Sequence, residues 1–223
     1  MFCALEAHPG DLQENFSHGV VKAVECAAGY YCLPGTKAAN QYPCPEGTYS
    51  NQTGLENPRE CKPCPGGMFC ASAGLSSPSG PCSPGYYCTS EARVPNPVHD
   101  EAGSLCPAGH YCPPGSSKPE PCPAGTFLPQ AGMVYGNACL PCPGGRFCQG
   151  EGLASVSGTC YAGYFCHRGA TQPDHEHCPS GFYCPEGSES PVPCSPGSFN
   201  PDSGKWQLTD CQPCPAGYFC SGV

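Results

Sequence analysis

One short phrase constrains the fold of this chain more than any other feature: Cys, two residues, Gly, one residue, then Phe or Tyr. The Gly suits a tight turn because it takes positive φ without a Cβ clash, and an aromatic ring packs well beside sulfur. In eight copies a second Cys follows the aromatic, and in three the next Cys lies seventeen positions after the first. The eleven copies begin at Cys26, Cys44, Cys64, Cys82, Cys106, Cys122, Cys142, Cys160, Cys178, Cys194 and Cys214.

Composition indicates that disulfides replace a conventional core. The chain has 23 Cys, 30 Gly and 30 Pro among 223 residues and lacks Ile altogether. A cysteine content near one in ten is typical of a disulfide scaffold, and thiols used in this way need an oxidising compartment. We therefore expect small disulfide-rich repeats forming an extended rod of tandem cysteine-rich modules, with short β-ribbons and turns and little helix. The one helix we expect lies around residues 20–24.

The cysteine spacing also predicts the domain organisation. The spacings that run from Cys106 to Cys166 restart at Cys178, which gives a period of 72 residues. We divide the chain into residues 1–25, the tail of a preceding repeat plus an insertion loop, and units at 26–105, 106–177 and a truncated 178–223. Met1-Phe2-Cys3 matches the end of a phrase, so we expect a segment of a longer repetitive chain, in which Cys3 is the odd cysteine.

The disulfide pattern is only partly readable from the sequence. We expect the three long loops to close on themselves, as Cys44–Cys61, Cys122–Cys139 and Cys194–Cys211. The short phrases close locally in one arrangement, which includes Cys26–Cys32, Cys106–Cys112 and Cys178–Cys184. In the other they cross, as Cys64 to Cys82 and Cys70 to Cys88. The sequence alone does not choose between them.

Several functional classes are disfavoured. A formal charge of −9 argues against nucleic acid and anionic membranes, and no apolar run approaches the length of a membrane span. Catalytic motifs such as G-x-S-x-G or HExxH do not occur, so we expect no enzyme, no catalytic residue and no cofactor. The pairs such as Cys61-Lys-Pro-Cys64 lack the spacing of zinc sites. His167 with Asp174-His175-Glu176-His177 is the densest group of metal ligands, and we interpret it as a solvated loop.

Two sequons and four aromatics are candidate surface sites. Asn15 and Asn51 begin N-glycosylation sequons, and Asn51 lies inside a polar sixteen-residue loop that would present a glycan outward. Four aromatics that do not occupy the aromatic position of the phrase are candidates for contacts between repeats or chains: Tyr42, Tyr135, Tyr161 and Trp206.

These residues carry a family resemblance. The stretch Cys44-Pro-Glu-Gly-Thr-Tyr … Cys61-Lys-Pro-Cys64 resembles the ephrin-receptor-like cysteine-rich repeat, as do its counterparts at Cys122 and Cys194. The layout is similar to the cysteine-rich modules of tumour-necrosis-factor receptors. The resemblance covers residues 26–220 and implies an extracellular disulfide module, found in receptors, adhesion proteins and large surface proteins.

The first functional hypothesis is a structural, glycosylated fibre or stalk, outside the cell or on its surface, that assembles lengthwise or laterally with itself. The alternative is a receptor or adhesion ectodomain that binds another extracellular protein. A binding module should break the repeat in one place, whereas a fibre should spread similar contacts along every unit. The regular period favours the fibre.

Overall fold

The computed structural model describes residues 2–3, as backbone only, 23–98 and 101–221. Its regular structure consists of short antiparallel strand pairs and three single-turn 3-10 helices, at Pro58–Glu60, Gly136–Ala138 and Leu208–Asp210. The prediction of tandem small disulfide-rich modules with little helix is confirmed. The helix predicted at 20–24 is wrong over Ala23–Val24, which form a strand; residues 20–22 lie outside the described part.

Each strand pair joins one phrase to the next. In every pair after the first, the first strand holds the aromatic of the phrase and the residue before it, and the second strand ends just before the next phrase Cys. The pairs are Phe2–Cys3 with Ala23–Val24, Tyr30–Tyr31 with Tyr42–Pro43, Thr48–Tyr49 with Lys62–Pro63, Met68–Phe69 with Gly80–Pro81, Tyr86–Cys88 with Gly103–Leu105, His110–Tyr111 with Glu120–Pro121, Thr126–Phe127 with Leu140–Pro141, Arg146–Phe147 with Gly158–Thr159, Tyr164–Phe165 with Glu176–His177, Phe182–Tyr183 with Val192–Pro193, and Ser198–Phe199 with Gln212–Pro213.

The structure places the cysteines in local bridges. The three long loops close as Cys44–Cys61, Cys122–Cys139 and Cys194–Cys211. Short bridges are Cys26–Cys32, Cys64–Cys70, Cys82–Cys88, Cys142–Cys148, Cys160–Cys166, Cys178–Cys184 and Cys214–Cys220. Cys106 and Cys112 are each disulfide-bonded as well. The crossed arrangement, Cys64 to Cys82 and Cys70 to Cys88, is therefore not the one the structure adopts.

Buried sulfur and a few small side chains form the core. Nearly all of the cysteines between Cys26 and Cys194 are buried. Tyr31, Phe69 and Phe147, which are phrase aromatics, pack against clusters that contain them. In the long-loop phrases the position of the second Cys is taken by Ser50, Leu128 and Asn200, which are also buried. The polar ones are satisfied locally, since the Asn200 Nδ2 donates to the Phe182 carbonyl oxygen at 3.0 Å. The core is thus a series of small clusters.

The chain divides into two compact units. One comprises residues 1–105 and 112–118, the other residues 106–111 and 119–223. The finer division at 26, 106 and 178 rests on the sequence period and stays a prediction.

Within each unit, neighbouring phrases are joined by the same three backbone hydrogen bonds. In the first unit, Gly67 N donates to Cys88 O at 2.8 Å, Cys70 N to Ala92 O at 2.8 Å, and Glu91 N to Cys64 O at 3.0 Å. Because the donors and acceptors are backbone groups, this contact depends little on side-chain identity.

The second unit repeats this arrangement. Gly145 N donates to Cys166 O at 2.9 Å, Cys148 N to Ala170 O at 2.9 Å, and Gly169 N to Cys142 O at 2.8 Å. Phrases two apart also touch, because a Cβ on Gly145 would overlap the carbonyl oxygen of Gly187. The phrase Gly is therefore required for close approach as well as for its turn.

Candidate functional site

One position of the repeat departs from its own pattern. In the ten modules where the structure describes it, a residue with φ > 0 lies three or four positions after the second Cys of the phrase, or after Ser50, Leu128 or Asn200 where these replace that Cys. We call this residue the left-handed position. Glycine occupies this position at 35, 54, 74, 115, 132, 152, 169, 187 and 204. The exception is Glu91, with φ of 60°, the one residue other than Gly with positive φ in the described ranges. A β-carbon in this region costs about 1–2 kcal/mol, so Glu91 marks a local break in the repeat.

The surroundings explain how Glu91 is accommodated. Its carbonyl oxygen faces Gly47, where an added Cβ would lie 2.6 Å away, just as the Gly169 oxygen lies 2.5 Å from a Cβ built on Gly125. The backbone at Glu91 therefore follows the same path as the backbone at Gly169. A Cβ on Gly169, the counterpart of Glu91 in the second unit, would meet nothing within 4 Å. The side chain has open space, and only the backbone conformation is strained.

A polar depression lies beside this residue. It has a volume of about 450 Å³ and is lined by Thr89, Ser90, Glu91, Arg93, Glu101 and Ala102. The Thr89 hydroxyl donates to the Glu101 carbonyl oxygen at 3.0 Å, and Thr89 N donates to the Ala102 oxygen at 2.8 Å. Two carboxylates and one guanidinium thus border one recess. This lining suits charge-complementary contact with another polypeptide.

Sequence reasoning missed this site, although the signal was present. It did not align the left-handed positions of successive modules. That alignment places Glu91 where the other modules have Gly.

The structure places Asn51 at an exposed position within the long loop closed by Cys44–Cys61. Its Oδ1 accepts a hydrogen bond from Lys62 Nζ at 2.9 Å, and the hydroxyl of Thr53, the third sequon residue, donates to Glu25 Oε2 at 2.6 Å. Asn15 lies outside the described residues. Glycosylation of either residue stays a prediction.

The histidine group is exposed, and of its residues only Glu176 and His177 lie in a strand. His167 Nε2 lies 3.4 Å from Glu176 Oε1, and the His177 ring meets the Tyr164 ring edge-on at 5.0 Å. These contacts give two of the histidines a packing role. No group of three His, Cys, Asp or Glu suited to a metal ion occurs in the described ranges.

The four candidate aromatics separate into two classes. Tyr42 stacks on Tyr31 with ring centroids 5.6 Å apart, which is packing within one strand pair. Tyr135, Tyr161 and Trp206 are exposed. Phe219, a phrase aromatic for which the sequence predicted packing on sulfur, is 89% exposed.

Comparison with known proteins gives partial relatives. No family model matches the chain, and none of the helices in the described residues has the length and apolar character of a membrane span. The chain is 30% identical over 147 residues to ABC transporter G family member 28 of Arabidopsis thaliana, covering 66% of this chain and 12% of that protein. It is 42% identical over 66 residues to mouse thyroglobulin, covering 29% and 2%.

A third relative is the human signal peptide, CUB and EGF-like domain-containing protein 2, at 30% identity over 138 residues, covering 62% of this chain and 11% of that protein. The chain thus spans an eighth or less of the length of these relatives. Bridges along the whole described chain require an oxidising compartment. The chain is a cysteine-rich repeat of an extracellular protein.

Proposed function

We propose that this chain is a structural part of an extracellular protein, a stalk or fibre built from ephrin-receptor-like modules. The observation that carries the proposal is the repeated contact of three backbone hydrogen bonds between neighbouring phrases within each unit. A repeat whose units touch mainly their neighbours extends by adding units. Contacts spread over every module are what a load-bearing element needs.

The chemistry of the contact supports the same role. Backbone hydrogen bonds need no particular side chain, so the surface of each module is free to vary without loss of the framework. Each bridge contributes roughly 2–4 kcal/mol, which offsets the small apolar core. The formal charge of −9 favours solubility. The proposal assigns no catalytic step to the chain.

Small-angle scattering of the non-reduced chain tests the proposal. A compact domain of this length has a radius of gyration of about 17 Å. We expect a clearly larger value with the signature of an elongated particle, and a further rise toward the unfolded value of about 50 Å after reduction. A value near that of a compact domain would contradict the stalk.

The recess at Glu91 favours a second candidate, a receptor or adhesion ectodomain that binds another extracellular protein. Here the repeat is broken at one place, and charged side chains gather there. The test is binding of the labelled chain to cell surfaces. We expect Arg93→Glu to abolish saturable binding and Arg168→Glu, which makes the same charge change at an exposed arginine outside this recess, to leave it unchanged. Equal binding by both variants would exclude this site.

Glycosylation of Asn51 is part of the proposal, because an exposed sequon in a bridged extracellular loop is a good acceptor. Expression in a secretory host followed by endoglycosidase treatment should shift the mass of the wild-type chain. Asn51→Gln should remove the shift assigned to this loop, and Asn137→Gln, in the sequence Asn137-Ala-Cys139 whose Cys is bridged, should change nothing. An unglycosylated peptide containing Asn51 would contradict the assignment.

A further inference from the structure

The second of the three long loops, closed by Cys122–Cys139, presents two exposed apolar side chains. Tyr135 is 60% exposed and Leu140 is 48% exposed, and we call these two residues the apolar pair. Tyr135 lies directly before the 3-10 turn Gly136–Ala138, and Leu140 follows the second Cys of the loop. One tight turn therefore separates the two side chains. We call residues 129–140, which contain both, the neutral loop.

The same two positions are polar in the other long loops. The residues before the turn are Asn57 and Gln207, and the residues after the second Cys are Lys62 and Gln212. All three loops close with an equivalent bridge and contain a 3-10 turn. The fold therefore does not require apolar side chains at these positions, and the apolar pair needs another explanation.

The sequence around the apolar pair carries no charge. None of residues 121–145 is Asp, Glu, Lys, Arg or His, although the chain has a formal charge of −9. One other stretch of similar length, residues 63–90, is also uncharged, and the structure describes all of it. That stretch holds none of the large hydrophobic side chains that are exposed. The neutral loop therefore combines an absence of charge with exposed apolar surface.

The neutral loop is fixed by contacts with the preceding module. Gly132 N donates to Cys106 O at 2.7 Å, and Met133 forms a parallel β-bridge with Tyr111. A Cβ on Gly136 would lie 3.2 Å from Tyr111 Cζ, so the tyrosine ring packs directly against the turn. The apolar pair thus projects from a backbone that is already ordered, and a binding partner would not have to order it.

The charge of the chain indicates which partner suits this surface. A cationic partner would be attracted to the acidic parts of the molecule, because complementary charge favours association. Two molecules of the same sign repel each other, and the repulsion is weakest where both surfaces are uncharged. A second copy of this chain is a partner of the same sign, and assembly into a fibre brings such copies together.

We propose that the neutral loops of two copies pack against each other in a symmetric lateral contact centred on Tyr135 and Leu140. This inference rests on the proposed structural function and names the surface through which neighbouring chains associate. Each copy presents the same patch to the other, so the contact closes at a pair of chains. Burial of an aromatic ring against an aliphatic side chain supplies the attraction.

Sedimentation velocity on the non-reduced full chain, from micromolar to hundreds of micromolar, measures the association. We expect the weight-average mass of the wild type to rise with concentration toward that of a dimer and to stop there. Leu140→Glu and Leu140→Lys should each weaken dimerisation at least about tenfold, because each places two like charges in one small contact. Both variants should fold normally, since Lys62 and Gln212 occupy this position in the other long loops.

Mixing the two variants tests the symmetry of the contact. In a symmetric contact the introduced carboxylate of one chain lies in the same patch as the introduced ammonium group of the other. An equimolar mixture should therefore recover the dimers that neither variant forms alone. A mixture that stays monomeric while the wild type dimerises would show a contact between two different surfaces and overturn the proposal.

Two control variants add the same charge elsewhere. Gln212→Glu changes the counterpart of Leu140 in the third long loop, and Ser77→Glu changes the other uncharged stretch. Both residues are exposed, and both variants should dimerise like the wild type. An equal loss of dimer in these controls and in Leu140→Glu would show general repulsion and contradict a local contact.

A wild-type chain that stays monomeric over the whole concentration range would also overturn the proposal. If that monomer were elongated in small-angle scattering, the stalk would stand and only the lateral contact would fail. A compact monomer would contradict both.

Discussion

Two segments that connect one repeat unit to the next, here called joints, occupy the same position in the repeat and differ in length. In the first unit the joint runs over residues 89–105, and in the second over residues 167–177. The first seven residues of both follow one path, since Ser83 N donates to Pro95 O at 2.7 Å and Tyr161 N to Pro173 O at 2.8 Å. The longer joint then adds six residues, 96–101, and its strand pair has three residues a side instead of two.

The comparison separates what the repeat requires from what it tolerates. Both joints keep a fully buried Ala, Ala92 or Ala170, whose carbonyl oxygen accepts a backbone hydrogen bond from the preceding module. The loop beyond Pro95 varies in length and carries its own packing, with Pro97 buried against Gly103. Each joint therefore requires a disulfide bridge, a small buried residue and a fixed backbone path. The surface residues beyond these features are free to change.

The largest expected effect is removal of the bridge at each joint. Replacing both cysteines of Cys82–Cys88 or of Cys160–Cys166 by Ser should lower the free energy of local opening by about 2–4 kcal/mol in each case. The losses should agree because both bridges close loops of the same length. Amide hydrogen exchange at Cys70 and Cys148 measures them. A clear inequality would break the equivalence of the two joints.

Overpacking the buried Ala should have the next largest effect. Ala92→Leu and Ala170→Leu each force a larger side chain into a fully buried site and should cost about 1–3 kcal/mol. Thermal unfolding of the single variants measures this cost, with Ala71→Leu at an exposed position as the control. If Leu were tolerated at one joint only, the difference in loop length would have changed how tightly the buried Ala is packed.

Exchanging the left-handed residues should have effects of opposite sign. Glu91→Gly relieves the strained φ but adds unfolded-state entropy, for a net gain of about 0.5–1 kcal/mol. Gly169→Glu should lose a similar amount, because its β-carbon meets open space. Gly152→Ala is a sterically restricted comparison, since the new Cβ would lie 2.9 Å from His110 Cε1. Chemical denaturation of these variants measures the differences, and destabilisation by Glu91→Gly would show that the Glu91 side chain makes a stabilising interaction.

The smallest effect is a pH dependence of one 3-10 turn. Backbone hydrogen bonds, first from Gln207 and also from Trp206, lower the pKa of Asp210 below its ordinary value of 3.8. A lowered folded-state pKa gives stability that is present above the ordinary pKa and is lost as the pH falls through the folded value. The turn Leu208–Asp210 should therefore open in acid below about pH 4.

The turn Gly136–Ala138 holds Ala138 in the place of Asp210 and is the matched control. The NMR chemical shifts of its amides should not titrate over the same range. Parallel titration of both turns would show that the carboxylate is not the cause.

Much of the fold could be predicted from the sequence because each phrase determines the structure of only a few neighbouring residues. Gly with positive φ and a following aromatic specify each turn and strand within six residues, and the long bridges such as Cys44–Cys61 could be predicted from spacing. The short bridges could not, because Cys64 is near both Cys70 and Cys82 in sequence and the choice depends on how modules pack. The predicted helix failed at Ala23–Val24 because pairing with Phe2–Cys3 outweighs local preference.

The candidate sites were less predictable, since each depends on a neighbouring module. The strain at Glu91 arises from a backbone path set by hydrogen bonding to Cys64. Single-sequence reasoning treats each phrase alike, and the differences between phrases lie in their packing partners.

Disulfide mapping tests most directly the claim that the chain is a series of locally closed modules. Digestion under acidic, non-reducing conditions with a protease that cuts at Leu75 and Leu153 separates Cys70 from Cys82 and Cys148 from Cys160. The structure predicts that each cut releases peptides that are not joined across it, each with an intact internal bridge such as Cys64–Cys70 or Cys82–Cys88. Peptides that remain linked across Leu75 would establish crossed bridges and contradict the modular account.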